Sequence, residues 1–576
     1  MLKKLLSSVR EYKKDSILAP VFVALEVVME VIIPMLMSLL IDNGIDANNM
    51  TYVYTMGGIL IVCSLVSLLF GALSGKCSAV AASGFAKNLR HDMFHNVQNF
   101  SFSNIDKFKT SSIITRLTTD VTNVQMAYMM VIRIAVRCPL MLVFALTMSM
   151  IVNYRIAWIF FIIAPILGVA LFFIMKNVHP IFTRMFKNYD KLNNVVQENV
   201  RGIRVVKSFV REDHESEKFT GVSKLIRDDS VRAERILMLT NPLIQFCVFS
   251  LNILIAWFSA RLIVAGDMTT GELSSMILYA AQILMSLMMV SMVIVMISIS
   301  RASAQRITEI LSEESDITNP ENPITEVADG TIDFNDVSFS YAKDIDKCCL
   351  NHLDFHAKPG QIIGVLGGTG CGKSSLVQLI SRLYDVTAGE VKVGGKNVKE
   401  YDLDVLRNQF AVVLQKNVLF SGTIKDNLRW GNPNATDEEM IAACKIAQAH
   451  DFVMAFPDKY DTHIEQDGAN VSGGQKQRLC IARAIISQPK VLILDDSTSA
   501  VDTATDSKIR EAFRKDIPDV TKIIIAQRVS SVEDADLILI MENGKIVAQG
   551  KHDDLLAGND IYQEIYYSQK KGGLKS

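Results

Sequence analysis

Hydrophobic positions are unevenly distributed along this chain. In the first half they form six long, almost unbroken runs, near residues 17–41, 56–80, 129–152, 156–177, 237–265 and 273–299. Each run is long enough to cross a bilayer as a helix, the form that satisfies its own backbone N–H and C=O groups without water. The polar connections alternate in length. Segments 42–50, 153–155 and 266–271 are short, whereas 81–128 and 176–236 are long, charged and helix-patterned. The long connections carry Lys87, Arg90, Lys107, Lys109, Arg116, Arg184, Lys187, Lys191, Arg201, Arg204, Lys207 and Arg211, and the N-terminus carries Lys3, Lys4, Arg10, Lys13 and Lys14. This basic excess places the N-terminus and both long connections on the cytoplasmic side. The pattern predicts a six-span bundle over 1–309 whose helices run on into the cytosol.

The hydrophobic period changes after the sixth span. Segment 310–329, with Asn319-Pro320 and Asn322-Pro323, reads as an interdomain linker. From 330 to 576 short β-branched strands alternate with turns and helices, an α/β pattern. Within it, Gly367-Gly368-Thr369-Gly370-Cys371-Gly372-Lys373-Ser374 fits the phosphate-loop pattern G-x-x-x-x-G-K-[ST] at every fixed position. An apolar strand-like run precedes it, and a helix start with Ser375 follows. Glycines there let backbone N–H groups curl around a phosphate, and the helix N-terminus adds partial positive charge. Lys373 can reach the β/γ oxygens and Ser374 can hold Mg²⁺. Farther on, Val491-Leu492-Ile493-Leu494-Asp495-Asp496 reads as a buried strand ending in acid, where α/β sheets bind ligands. Asp495 is placed to hold Mg²⁺ through water.

Composition narrows the field further. The chain has 576 residues, too many for one ordinary domain, and is 49% hydrophobic, with the excess in the first half. A net charge of −2 leaves no electrostatic footprint for nucleic acid. The 9 cysteines include no C-x-x-C pair and read as reduced thiols, without a disulfide framework or metal site. No cleavable signal peptide is expected, because the first apolar run is long enough to span and lacks a small-residue cleavage site. Two features of the spans keep two readings each. Glu26, Glu30, Arg133, Arg137 and Arg261 mark a substrate path, or they pair between helices and snorkel near span ends; the second is favoured. Met276, Met285, Met288, Met289, Met292 and Met296 in the last run either line an adaptable apolar pocket or face lipid.

Between the phosphate loop and the acid-ended strand lies Val471-Ser472-Gly473-Gly474-Gln475-Lys476-Gln477-Arg478. This S-G-G-Q-x-Q-R run resembles the signature of the ATP-binding cassette (ABC) family. Essentially the whole chain resembles an ABC exporter half-transporter, six spans followed by one α/β cassette. The resemblance implies ATP and Mg²⁺ as ligands. It implies that Tyr341 stacks on adenine, that Gln415 senses Mg²⁺ and γ-phosphate, and that Ser374, Gln415 and Asp495 hold the metal. It implies that Ser472, Gly473, Gly474 and Gln475 serve the nucleotide held by an opposite cassette, and that Ser499-Ala500-Val501-Asp502 is a dimer-contact loop. Residues 104–112 and 205–212 fall where the family has its coupling helices.

Two positions depart from the family pattern. Asp496 stands where the family has the Glu that polarises the attacking water. Gln527, in Ile524-Ile525-Ala526-Gln527-Arg528, stands where it has a His that contacts the γ-phosphate. A smaller departure is Gln466-Asp467-Gly468 in place of Glu-Arg-Gly. Both catalytic departures strike the site on this chain's own phosphate loop, while its signature is intact apart from Val471 for the usual Leu. The expectation is a heterodimer with a second, homologous half-transporter: a degenerate site on this chain's loop, and a competent one completed by its signature. The expected substrate is a hydrophobic or amphipathic small molecule, multidrug or lipid-like, moved across a bacterial plasma membrane in contact with lipid. A peptide exporter, an ATP-gated regulatory or channel-like protein, and a slow homodimeric exporter remain as alternatives.

Overall fold

The structure is a computed structural model that describes residues 1–496 and 501–572. The chain forms two units, one comprising 1–98 with 109–313, the other 99–108 with the chain from 314 onward.

Among the described residues, the first unit holds six helices long and apolar enough to cross a membrane. Six helical segments form their apolar parts: α1 (Lys13–Leu40), α2 (Met50–Gln98), α3 (Val121–Val152), α4 (Tyr154–Arg201), α5 (Thr240–Val264) and α6 (Thr270–Ser312). Between α4 and α5 run a short helix, Ile203–Ser208, and the charged helix Glu212–Leu237. Helical spacing decides which side of α1 is covered: Ala19, Val23, Glu26, Val27, Val31, Pro34 and Ser38 are buried, mostly three or four residues apart. That stripe meets Met276, Tyr279 and Ile283 of α6, and the Tyr279 hydroxyl donates to the Val31 carbonyl at 2.9 Å. At the outer end α6 starts from a capping box in which Thr269 and Glu272 satisfy each other's backbone N–H groups. Asp42 adds a carboxylate to that helix start, accepting from Gly271 N and Thr269 Oγ1, both at 2.8 Å.

Three of the five charges inside the spans, Glu26, Glu30 and Arg137, pair across helices. Arg137 of α3 donates to Glu26 at 2.6 Å and to both oxygens of Glu30 at 2.8 Å, both on α1. Arg261 lies 5.3 Å from the Trp257 ring centroid. The methionines of α6 divide: Met276 is buried, whereas Met285, Met289 and Met292 are exposed.

The second unit is the α/β part. A six-stranded sheet has the order β10-β9-β3-β8-β7-β6, built from β3 (Ile362–Gly367), β6 (Phe410–Val413), β7 (Val491–Asp495), β8 (Thr521–Ile525), β9 (Leu537–Glu542) and β10 (Lys545–Gly550). Its pairs are parallel except β9 with β10. A parallel sheet is covered on both faces, hence the apolar runs 491–494 in β7 and 523–525 in β8. Leu492, Leu494 and Ile524 enter the core on one face, and Val491, Ile493, Ile523 and Ile525 the core on the other. An antiparallel sheet, β2-β1-β4-β5, adds β1 (Ile332–Phe339), β2 (Leu350–Ala357), β4 (Ala388–Val393) and β5 (Lys396–Asn397).

The segment 99–108 belongs to this unit, and its helix spans Phe102–Lys107, earlier in the chain than the 104–112 expected from the resemblance. The reason is local: Ser101 caps the helix and Asn104 completes a capping box, so helix geometry starts at Phe102. The second such helix likewise starts earlier than 205, at Ile203. Ser101 and Ser103 hydroxyls donate to Asp316 at 2.5 and 2.8 Å, and the Lys343 ammonium lies 2.7 Å from the same carboxylate. Burial alone would raise the Asp316 carboxyl, but these donors, Lys343 foremost, outweigh it and hold it at about 2. A depressed carboxyl contributes stability that is complete above the ordinary carboxylate range and lost as pH falls towards 2. Asp316→Asn in the full-length chain is therefore expected to lower stability near neutral pH by about 1 kcal/mol, allowing for solvent screening. The difference should vanish on acidification, and thermal unfolding followed from about pH 6 to about pH 2 checks both points.

Candidate functional site

The candidate site lies at the carboxyl ends of β3 and β7, with β8 between them. β3 ends at Gly367, and the helix α7 (Lys373–Ile380) begins six residues on. The turn needs its glycines for two different reasons. At Gly367 and Gly372 a side chain would collide, a Cβ falling 2.3 Å from the Met541 carbonyl oxygen and 2.5 Å from Leu350 respectively. Gly370, at φ +83°, adopts a left-handed conformation and faces open space. Lys373 folds back over this turn, its ammonium donating to the Gly367 and Gly368 carbonyls at 3.0 and 2.7 Å, with the Cys371 sulfur at 3.7 Å. Thr369 lies in the same turn.

Ser374, the second residue of α7, donates to Asp495 Oδ2 at 2.9 Å. Burial pushes the Asp495 carboxyl above its ordinary value; the neighbouring Asp496 charge adds to this, while Ser374 and Lys373 oppose it. A buried carboxylate under this strain, beside a hydroxyl at the mouth of a glycine turn, is a donor set of oxygen atoms suited to a hard divalent cation. The residues present therefore fit Mg²⁺.

Asp496 leaves the strand in a left-handed conformation, φ +48°. Its N–H is held by the Ile525 carbonyl at 3.0 Å, and its Oδ2 accepts from Gln415 Nε2 at 3.2 Å and Gln527 Nε2 at 3.0 Å. Two amides from separate stretches of sequence thus converge on one carboxylate oxygen of a third.

Tyr341 stands at the other side of the turn. Its hydroxyl pairs with Ser375 Oγ at 2.9 Å and donates to Gln378 Oε1 at 3.0 Å. Its ring meets Tyr384 edge-on with centroids 5.2 Å apart, and Tyr384 donates to Asp106 at 2.6 Å. Tyr384 and Gln378 had no motif to announce them; both are placed by the packing of α7 and the loop after it.

The signature run sits apart. Ser472 caps α8 (Gly473–Ile486), accepting from Gln475 N, while Gln475 Oε1 accepts from Ser472 N at 2.9 Å. Gly473 and Gly474 form the first turn, without a Cβ to screen the exposed N–H groups. Among the described residues no hydrogen bond joins Ser472, Gly473, Gly474 or Gln475 to the phosphate loop. Of the expected dimer-contact loop, Ser499 and Ala500 lie outside the described residues. Asp502 caps α9 (Thr503–Asp516), accepting from Thr505 N at 2.9 Å, and that backbone bond holds its carboxyl below the usual range.

Comparison with known proteins gives the arrangement its family. The ABC transporter transmembrane region model matches residues 16–311, and the ABC transporter model matches 350–499. The chain is 35% identical to YfiB of Bacillus subtilis, an uncharacterized ABC transporter ATP-binding protein, over 99% of this chain and 98% of that one. The chain belongs to the ABC transporter family. A second ABC transporter ATP-binding protein, Mb1304c of Mycobacterium bovis, also uncharacterized, is 32% identical over 99% and 98% of the two chains. The fold of this ABC transporter chain matches a bacterial Atm1-family ABC exporter solved with ATP bound, at a TM-score of 0.83 and 23% identity, over 97% and 98% of the two chains. The ABC transporter is accordingly an integral, multi-pass membrane protein, and its α/β unit is a nucleotide-binding ATPase cassette.

Proposed function

We propose that this chain is one half of a heterodimeric exporter, and that the nucleotide site on its own phosphate loop turns ATP over slowly. The observation that carries the reading is the environment of Asp496. Aspartate is one methylene shorter than glutamate, which draws its carboxylate back by about 1 Å. What reach remains is taken by Gln415 and Gln527, both donating to the same oxygen. Gln527 can donate a hydrogen bond but carries no positive charge for a developing γ-phosphate anion.

In this reading Tyr341 stacks on adenine, Lys373 binds the β/γ oxygens, and the backbone of Gly367, Gly368, Thr369, Gly370, Cys371 and Gly372 with Ser375 cradles the phosphates. Mg²⁺, held by Ser374, Gln415 and Asp495, neutralises phosphate charge when bound. Ser472, Gly473, Gly474 and Gln475, with Asp502 behind them, complete the competent site on a second, homologous chain. ATP binding closes the paired cassettes and biases the spans from inward- to outward-facing, and hydrolysis at the partner's site resets them. The cargo is an amphipathic small molecule, multidrug or lipid-like, supported by the exposed methionines Met285, Met289 and Met292 on one helix. The membrane is a bacterial plasma membrane, with the cassette in the cytosol.

A slow homodimer is the second reading, favoured by the presence of both a phosphate loop and a signature on one chain. ATP turnover in lipid vesicles separates them. The chain alone is expected to be nearly silent and to become active, by about tenfold or more, with a homologous half-transporter from the same organism. Brisk turnover by the chain alone would overturn the heterodimer.

A further inference from the structure

The C-terminal helix α10 (Asp560–Gly572) reaches back to the nucleotide site. It is anchored by Tyr562, fully buried in the same core as Val529 and Val532, whose hydroxyl pairs with His552 Nδ1 at 2.6 Å. Two turns farther along α10, Gln569 extends over the loop that follows β8. Its Nε2 donates to the Gln527 carbonyl at 2.8 Å, and its Oε1 accepts from Val529 N–H at 2.9 Å. One carboxamide therefore engages the main chain on both sides of Arg528, as a neighbouring strand would. Beyond Ile525 the loop has left the β8–β7 ladder, whose last pair is Ile525 with Asp495. Gln569 supplies main-chain pairing to the loop beyond that point.

Gln527 itself faces two ways. Its backbone is held by Gln569, and its side chain donates to Asp496. The direction of a side chain follows the φ/ψ of its residue, so a clamp on the Gln527 carbonyl and the next-but-one N–H bears on where the Nε2 points. We propose that Gln569 is a positioning residue: it sets Gln527 against Asp496, and through it the C-terminal helix governs turnover at this chain's nucleotide site. The proposal rests on the reading that Gln527 and Asp496 serve that site.

The test uses the full-length chain in lipid vesicles, with its partner chain where one is needed, and 8-azido-ATP with Mg²⁺ as the probe. Photolabelling of this chain reports affinity at its own site, and single-turnover conversion of the labelled triphosphate to diphosphate reports chemistry there. Gln569→Ala should slow conversion about fivefold while labelling affinity stays within about twofold. Gln569→Glu keeps the length and the acceptor but loses the donor to the Gln527 carbonyl, and should match Gln569→Ala with unchanged thermal unfolding. In a Gln527→Ala background, Gln569→Ala should add nothing, since the side chain being positioned is gone. An unchanged rate in Gln569→Ala, an additive loss in the double variant, or a parallel loss of affinity and thermal stability would overturn the clamp while leaving Gln527 a site residue. If Gln527→Ala alone leaves conversion unchanged, the reading of the site falls, and the clamp with it.

Discussion

Asp496→Glu combined with Gln527→His is expected to raise ATP turnover by the chain alone about 10²-fold. Asp496 leaves β7 with its backbone in the left-handed region and its N–H tied to the Ile525 carbonyl, so the origin of the side chain is fixed. Extra reach can come only from a longer side chain. Glutamate carries the carboxylate about 1 Å farther, past the two amides that now hold it, and a displacement of that size is worth about 10² in rate. Histidine at 527 adds a group able to carry charge beside the γ-phosphate, where a fixed donor acts most strongly in a site that excludes water. Neither change alone should reach the full gain, because base and charge stabiliser act on one transition state. Phosphate release measured in vesicles, with Lys373→Ala as the inactive control, decides the matter. A gain below about threefold in the double variant would mean that neither position limits the site.

Arg137→Leu is expected to destabilise the membrane unit by about 3–5 kcal/mol. The Arg137 guanidinium is the only ion-pair partner of Glu26 and Glu30 among the described residues, and the Glu26 side chain is 9% exposed. Removing the cation leaves two carboxylates in the apolar interior of the bundle, and among the described residues Glu26 Oε2 already has no hydrogen-bond partner. Exchanging both acids for glutamine in the Arg137→Leu background should recover most of the loss, because the cost lies in unpaired charge rather than in volume. Thermal unfolding of the purified chain in lipid nanodiscs gives both numbers. A loss under about 1 kcal/mol, or no recovery in the triple variant, would show that the triad is not what holds α1 against α3.

The pairing behind that prediction was half legible. The presence of Glu26, Glu30 and Arg137 inside apolar runs is plain in the sequence, and pairing between helices is the inexpensive solution. Which acid meets which base is not, since the partners lie 107 and 111 residues apart and are joined only by helix packing. The short helices Phe102–Lys107 and Ile203–Ser208 show a smaller gap. The Ser101–Asn104 capping box was readable one turn before the expected start, but the expectation followed the family's spacing rather than the local chemistry. Tyr384, which joins Tyr341 to Asp106, and Gln569, which meets Gln527, belong to no motif at all.

The sequence by itself determined the elements whose physics is local. A long apolar run must be a helix in lipid, whatever surrounds it, because no other open form satisfies its backbone there. A glycine turn ending in Lys373 and Ser374 carries its phosphate chemistry within about eight consecutive residues. The departures at Asp496 and Gln527 are equally visible as letters. Only the tertiary structure decided what those letters face. Asp496, Gln415 and Gln527 come from the ends of three different strands, and parallel strand order brings them to one oxygen. Side-chain convergence of that kind depends on register between segments far apart in the chain, and no period along the sequence encodes it.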